Sequence, residues 1–252
     1  MSVQRCCVTG FQWDGTTSGR ISKIGDVDTY IAGDNPDSAV LIVPDLFGWA
    51  FANIRLLADH YAKEANVTVY VPDFFQGDSL PLDLMLEGKY DEVDLAGFLA
   101  PERNGREARE DLVLRVAKQL REKHSTSLGA VGFCYGAWAC FCLGSSEHRP
   151  APLVDYIAVG HPSMVTKEDI NALGVPLMVL APEHDFAYTK ELKMHTFETM
   201  IERQLRFDYR HFPGVEHACM VRGDARKEGE RQALEAGKNA VVYWIGTFSQ
   251  KI

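Results

Sequence analysis

The chain has 252 residues, 46% of them hydrophobic, and a formal net charge of −9 at pH 7. This length and apolar content predict a single globular domain over residues 1–252 and exclude a disordered composition. The negative charge argues against nucleic acid or an anionic membrane as a partner. No apolar run approaches the ~20 residues that a membrane span needs, so we expect no membrane association.

The N-terminal residues and the cysteines favour a reducing compartment. Residues 1–7 lack the apolar stretch of a secretory signal, so a cytoplasmic location is expected. Six cysteines in a chain of this length do not indicate a disulfide framework. Neither Cys6-Cys7 nor Cys140-x-Cys142 has the spacing of a zinc site, and we therefore expect no metal and no cofactor.

Strand-like and helix-like segments alternate along the chain. Residues 27–32, 39–43, 67–71, 128–133, 156–159, 176–181 and 205–212 read as strands. Residues 51–65, 104–123, 135–145, 189–203 and 225–248 have the spacing of helices, while residues 76–101 predict a loop with short helices over the sheet. The alternation predicts an α/β fold, with a mostly parallel central sheet and helices on both faces.

The segment Gly132-Phe133-Cys134-Tyr135-Gly136 joins a predicted strand to a predicted helix. The flanking glycines permit the strained backbone and close chain approach of a nucleophile elbow, here with sulfur in place of the usual serine oxygen. A thiol at a helix N-terminus faces unpaired N–H groups that stabilise a thiolate. Cys134 is therefore the candidate nucleophile.

Two further segments supply an acid and a base in the chain order of the α/β-hydrolase triad. Asp185 follows the strand at residues 176–181, and His217 follows the strand at residues 205–212. His217 would move the thiol proton, and Asp185 would hold its tautomer and stabilise the imidazolium. The backbone N–H groups of Leu46 and Tyr135 would form the oxyanion hole.

Other residues of the same types have competing interpretations. His184 competes with His217 as the base but lies on the loop of the acid, where the triad does not place a base. Glu183 and Glu216 compete as functional carboxylates and are expected to be solvated. Structural or surface roles are expected for Cys140, Cys142, Cys219, His60, His124, His148, His195 and His211.

Several motifs together resemble the dienelactone hydrolase family, a branch of the α/β-hydrolases with a cysteine nucleophile. They are Pro44-Asp45-Leu46-Phe47-Gly48, Val71-Pro72-Asp73-Phe74-Phe75, the Cys134 elbow, Glu183-His184-Asp185 and Gly214-Val215-Glu216-His217. Cys6-Cys7-Val8-Thr9-Gly10 and His161-Pro162-Ser163 are similar to fungal members in particular. The resemblance implies an α/β-hydrolase fold, Cys134, Asp185 and His217 as the triad, and hydrolysis through a thioester.

The chain departs from the bacterial members of that family at two positions. Those members carry a glutamate where this chain has Asp45, and that carboxylate pairs with the resting thiol. They also carry an arginine after the Pro-Asp pair, where this chain has Phe74-Phe75. A second family arginine corresponds to Arg222, which would either anchor an acidic substrate or pair with a nearby residue such as Asp224.

The sequence thus predicts a hydrolase of a small ester or lactone, a substrate that could carry a carboxylate. Phe74, Phe75, Trp49 and Tyr135 are candidates for an aromatic pocket wall, or simply for the core. One alternative uses the same site for cyclisation or isomerisation, and another is a thiol-sensing or binding protein without turnover. The oligomeric state is left open between a monomer and a small homo-oligomer.

Overall fold

The computed structural model describes residues 10–148 and 150–249, so Cys6 and Cys7 lie outside the described residues. The strands are β1 (Arg20–Ile24), β2 (Val27–Ala32), β3 (Ser38–Val43), β4 (Thr68–Pro72), β5 (Ser127–Phe133), β6 (Tyr156–Gly160), β7 (Leu177–His184) and β8 (Phe207–Glu216). They form one sheet in the order β1-β2-β4-β3-β5-β6-β7-β8. β1 pairs antiparallel with β2 and β2 with β4, and the remaining pairs are parallel.

The helices are α1 (Ala52–Ala65), α2 (Leu82–Leu86), α3 (Leu95–Phe98), α4 (Arg106–Lys123), α5 (Gly136–Leu143), α6 (Lys167–Ala172), α7 (Lys190–Glu202), α8 (Cys219–Arg222) and α9 (Glu228–Ser249). α1 packs against α9, and α4 packs against α5. The region predicted as a loop with short helices contains α2, α3 and a single 3₁₀ turn at Tyr90–Glu92. Among the described residues, no helix combines the length and apolarity needed to cross a membrane.

The central strands are buried on both faces of the sheet. Every residue of β3, β5 and β6 is buried, although successive side chains point to opposite faces. Complete burial of this kind requires helices on both sides, as in parallel sheets joined by helical crossovers. The architecture is the α/β-hydrolase fold that the sequence predicts.

The last two strands extend further than the sequence pattern indicates. β7 continues through Glu183 to His184, and β8 continues through Gly214 to Glu216, both beyond the predicted strand ends. Pairing persists because an irregularity after Pro182 restores the register, with His184 opposite Glu216. Prediction of loops at these positions was wrong, since Pro and Gly are tolerated at such irregularities and on the edge strand β8.

Candidate active site

Cys134 lies at a tight turn between β5 and α5, with a backbone φ of 48°. That left-handed conformation is strained for a residue with a Cβ. The flanking glycines make room for it: a Cβ at Gly132 would lie 2.5 Å from the carbonyl oxygen of Gly136. A Cβ at Gly136 would collide with the carbonyl oxygen of Val43 on β3. The sequence G-x-C-x-G therefore meets a steric requirement of this turn.

Two side chains from distant segments converge on the thiol. His217 Nε2 lies 3.1 Å from Cys134 Sγ, and His217 Nδ1 lies 2.9 Å from Asp185 Oδ1. The three residues follow the carboxyl ends of β5, β7 and β8, which lie within the consecutive run β5-β6-β7-β8 of the sheet. The thiol of Cys134 is almost completely buried, as is the imidazole of His217.

Backbone groups hold the acid and the histidine in place. Asp185 Oδ1 accepts hydrogen bonds from the N–H groups of Ala187 at 2.9 Å and Tyr188 at 3.0 Å. The N–H of His217 donates to the carbonyl oxygen of His184 at 2.9 Å. Burial by itself raises the pKa of Asp185, but His217 and these two N–H donors outweigh it and hold the pKa below its ordinary value.

Charge at the site favours the imidazolium form of His217. Burial lowers the pKa of this histidine, but its interactions with Cys134 and Asp185 raise it. Their combined effect raises the pKa of His217 to about 10. An imidazolium in this position can donate a hydrogen bond from Nε2 toward the sulfur and from Nδ1 to the carboxylate.

We expect His217 to remain protonated at pH 8, where an isolated histidine is neutral. Replacing Asp185 with Asn removes a carboxylate that favours the imidazolium, so the pKa of His217 should fall. The ring nitrogen chemical shifts of His217, followed by NMR from pH 5 to pH 11 in both proteins, report this directly. A His217 that titrates near 6.5 with and without the Asp185 carboxylate would contradict the charge arrangement.

The predicted oxyanion-hole donors are the backbone N–H groups of Leu46 and Tyr135. Tyr135 follows Cys134 at the start of α5, and Leu46 follows the carboxyl end of β3. Within the described ranges, neither N–H donates to a backbone carbonyl in a turn or loop. The close approach of Gly136 to Val43 brings these two chain segments together.

Asp45 and Arg222 form an ion pair in which both side chains are buried. Asp45 Oδ2 lies 2.7 Å from Arg222 Nε, and Asp45 Oδ1 accepts the N–H of Phe47 at 3.0 Å. The guanidinium carbon lies 4.5 Å from the centre of the Phe47 ring. Of the two interpretations of Arg222, a salt bridge is present, but Asp224 was the wrong partner because its carboxylate pairs with the exposed Arg226.

A cavity of about 480 Å³ lies beside His217 and is lined partly by the segment from Gly214 to Gly223. Arg222 and Tyr90 contribute to its wall. The aromatic candidates Phe74, Phe75 and Trp49 do not line this cavity. Phe74 and Phe75 belong to the hydrophobic core, where Phe75 packs against Tyr135 at 5.2 Å between ring centres. Trp49 is half-buried, with the guanidinium of Arg55 4.7 Å from its ring.

The competing residues are exposed, hydrogen-bonded to other groups, or cysteines whose burial favours the thiol form. His184 and Glu216 are exposed, and Glu183 is an exposed acceptor for the N–H of Gly214. The structure also pairs His60 with Glu64, His124 with Tyr70, His148 with the carbonyl of Cys142 and His195 with Asn171, and it exposes His211. Burial raises the pKa of Cys140, Cys142 and Cys219, which favours the protonated thiol of a structural cysteine.

Three residues beside the thiol received no role in the sequence analysis. Ser163 Oγ lies 3.4 Å from Cys134 Sγ and 3.5 Å from His217 Nε2. The rings of His161 and Phe186 lie 5.0 Å and 4.9 Å from that of His217. The signal that could have revealed His161 and Ser163 is their position just after Gly160, at the end of β6. This strand lies between β5 and β7 in the sheet. Burial holds the pKa of His161 well below its ordinary value, so its imidazole is neutral.

Comparison with known proteins gives one family. The model of the Dienelactone hydrolase family matches residues 27–249. The chain belongs to the dienelactone hydrolase family. This membership confirms the resemblance, and with it the prediction that the protein is an ester or lactone hydrolase.

Relatives in this family match nearly the whole chain. Hydrolase pyvD of Aspergillus violaceofuscus is 29% identical, over 98% of this chain and 97% of that protein. The carboxymethylenebutenolidase homolog of Rattus norvegicus is 25% identical, over 96% of each chain. The crystal structure of a putative dienelactone hydrolase from Klebsiella pneumoniae superposes with a TM-score of 0.62 at 16% identity, covering 88% of this chain and 93% of that one. At this identity the superposition supports the fold alone.

Proposed function

We propose that the protein hydrolyses a small ester or lactone by a Cys134–His217–Asp185 triad, through a thioester on Cys134. One observation carries the proposal: the elbow sulfur lies 3.1 Å from His217 Nε2, whose other nitrogen contacts Asp185. A nucleophile, a base and a group that orients the base are the minimum for acyl transfer at a thiol. The membership of the chain in the dienelactone hydrolase family supports the same acyl chemistry.

Each half of the reaction uses the same groups. Cys134 Sγ, as the thiolate, attacks the acyl carbon, and His217 returns the proton to the departing alkoxide. The bond between the acyl carbon and the alkoxide oxygen breaks as the carbon–sulfur bond remains. His217 then takes a proton from water, which attacks the thioester carbon. The carbon–sulfur bond breaks, Cys134 leaves as the thiolate, and the acid is released. The N–H groups of Leu46 and Tyr135 stabilise the oxyanion in both steps.

The cavity beside His217 is the proposed acyl site. Cys134 does not line it, but the Cys134 sulfur lies 3.1 Å from Nε2 of His217, which does. Its volume of about 480 Å³ is within the range of small-molecule pockets. Arg222 lines it, but the Asp45 carboxylate 2.7 Å away already balances the guanidinium charge. A substrate carboxylate would therefore have to share Arg222 with Asp45, so an uncharged lactone or ester is the simpler substrate class.

The proposal extends to the setting of the reaction. Cys134, Cys140, Cys142 and Cys219 are free cysteines, which suits a reducing, cytoplasmic compartment. We treat residues 1–252 as one catalytic domain, because one sheet supplies every member of the candidate triad.

We test this function with a panel of small lactones and activated acyl esters in water enriched in heavy oxygen. Hydrolysis adds one water to the substrate, with one heavy oxygen in the acid, and rapid acid quenching should trap an acyl group on the peptide containing Cys134. Mass spectrometry of products and of the digested protein measures both. Products with unchanged mass would instead indicate cyclisation or isomerisation. Absence of turnover with selective peroxide oxidation of Cys134 would indicate thiol sensing.

A further inference from the structure

His161 is a buried histidine next to the triad, and the mechanism above does not use it. Its side chain is fully buried, and both ring nitrogens lack a hydrogen-bond partner within residues 10–148 and 150–249. Buried polar groups without partners are rare and call for a specific explanation, such as a bound water or ion. The nitrogens of this ring therefore point to a ligand in the site.

The backbone fixes His161 in this position. It has a φ of 38°, a strained conformation for a residue other than glycine, and its N–H donates to the carbonyl oxygen of Leu180 at 2.9 Å. Two residues later, the N–H of Ser163 donates to the carbonyl oxygen of Cys134 at 3.0 Å. The loop after β6 is thus tied to β7 and to the turn that follows β5, which holds the ring beside the thiol.

The atoms of three side chains match the donor set of a thiophilic metal ion. The sulfur of Cys134 and the ring nitrogens of His161 and His217 all lie within 4.8 Å of one another. A tetrahedral zinc ion with ordinary Zn–S and Zn–N bonds places such atoms ~3.4 Å apart. Cys134 Sγ and His217 Nε2 are already 3.1 Å apart, so zinc binding requires only that the His161 ring nitrogen move toward them by at most ~1.4 Å. Cysteine sulfur and imidazole nitrogen also bind zinc in preference to calcium or magnesium, which favour oxygen ligands.

We propose that Cys134, His161 and His217 bind one Zn²⁺ ion, which inhibits hydrolysis reversibly. The ion takes Cys134 as the thiolate and both histidines as neutral imidazoles, and the displaced protons go to solvent. Its fourth ligand would be a water or a carboxylate product. The Zn–S bond occupies the nucleophile, and the Zn–N bond occupies the atom of His217 that moves the proton.

The consequence for turnover depends on the proposed function, whereas the metal site itself does not. The experiment therefore measures binding directly. Zn²⁺ is titrated into the purified full-length protein against a chromophoric chelator, and Co²⁺ is added separately to observe the absorption band of a cobalt–thiolate bond. The proteins compared are wild type, His161→Asn, Cys134→Ser and, as a matched control, His184→Asn, which alters an exposed histidine on β7.

We expect one Zn²⁺ per chain in wild type and in His184→Asn, and at least ~10-fold weaker binding in His161→Asn. The cobalt–thiolate band should be present in wild type and absent in Cys134→Ser. Zinc should inhibit ester turnover by wild type, and this inhibition should weaken in His161→Asn. If His161→Asn fails to fold, the Cys134→Ser comparison still tests the site.

Equal zinc affinity in wild type and His161→Asn, or a cobalt spectrum unaffected by Cys134→Ser, would overturn the metal site. Failure of the site is distinguishable from failure of the proposed function. If hydrolysis depends on Cys134 but no zinc binds, only the metal site is refuted. If zinc binds through Cys134 but hydrolysis is independent of this residue, only the catalytic assignment is refuted.

Discussion

Replacement of Cys134 with alanine is expected to lower kcat for ester or lactone hydrolysis by at least ~10³-fold. The substitution removes the only atom of the proposed triad that bonds to the acyl carbon, so the thioester route is lost. The residual rate would come from substrate binding and from the N–H groups of Leu46 and Tyr135. Steady-state kinetics on the best substrate of the panel, with wild type and variant at equal folded concentration, measures the loss.

Cys142→Ala is the matched control for this experiment. Cys142 is a half-buried free cysteine on α5, the helix that begins two residues after Cys134. We expect this variant to keep wild-type turnover, because the side chain lies outside the proposed triad. Undiminished turnover by Cys134→Ala would instead assign the nucleophile to another group. Ser163, whose Oγ lies 3.4 Å from the thiol sulfur, would then be the first candidate.

The sequence predicted most of the fold because its parallel strands are short and completely buried. Short apolar runs such as residues 128–133 are typical of strands that are buried on both faces of a parallel sheet. Where burial is incomplete, the same pattern failed. β1 was not predicted because four of its five residues are exposed, and the extensions of β7 and β8 contain Pro182, Pro213 and Gly214.

The sequence proposed Cys134, Asp185 and His217 as a triad because the ends of parallel strands share one edge of the sheet. In the structure, His217 contacts both Cys134 and Asp185. The sequence did not predict that a fourth strand end, at Gly160, adds His161 and Ser163 to that edge. No strand or helix periodicity marks a single histidine in a loop. Only the strand order, with β6 between β5 and β7, shows that this loop must pass the thiol.

The partner of Arg222 illustrates a different limit of sequence reasoning. Asp224 is close in the chain, but Asp45 is 177 positions away and meets Arg222 only because β3 ends near α8, the short helix that follows β8. Proximity in the chain suggests Asp224 as the partner of Arg222, whereas the folded structure buries Arg222 next to Asp45. The pair connects the segment that carries Leu46 to the segment that carries His217.

Breaking this buried pair is expected to lower the free energy of unfolding by about 3–5 kcal/mol, because either single substitution leaves one charge buried without its partner. Asp45→Asn retains an acceptor for the Phe47 N–H and removes only the negative charge. Arg222→Met retains much of the aliphatic volume and removes the positive charge. Urea denaturation of both variants, followed by circular dichroism at pH 7, measures the loss. The exposed pair of Arg226 with Asp224 provides the control, since Arg226 also lies over an aromatic ring, that of Phe11, at 4.4 Å.

The pH dependence separates the two single variants. Burial raises the pKa of Asp45 even with Arg222 beside it, and loss of that arginine should raise this pKa further. In Arg222→Met the folded protein therefore binds a proton at Asp45 more readily than the unfolded chain does. Above the raised pKa, Asp45 is ionised and the loss of stability in Arg222→Met is complete. As the pH falls through that pKa, Asp45 becomes protonated and the loss shrinks. Asp45→Asn has no carboxyl group to protonate, so its loss of stability should not shrink in this way.

The control variant, Arg226→Met, should leave the free energy of unfolding nearly unchanged. Equal, small effects of Arg222→Met and Arg226→Met would show that the Asp45–Arg222 pair is hydrated and contributes little to stability.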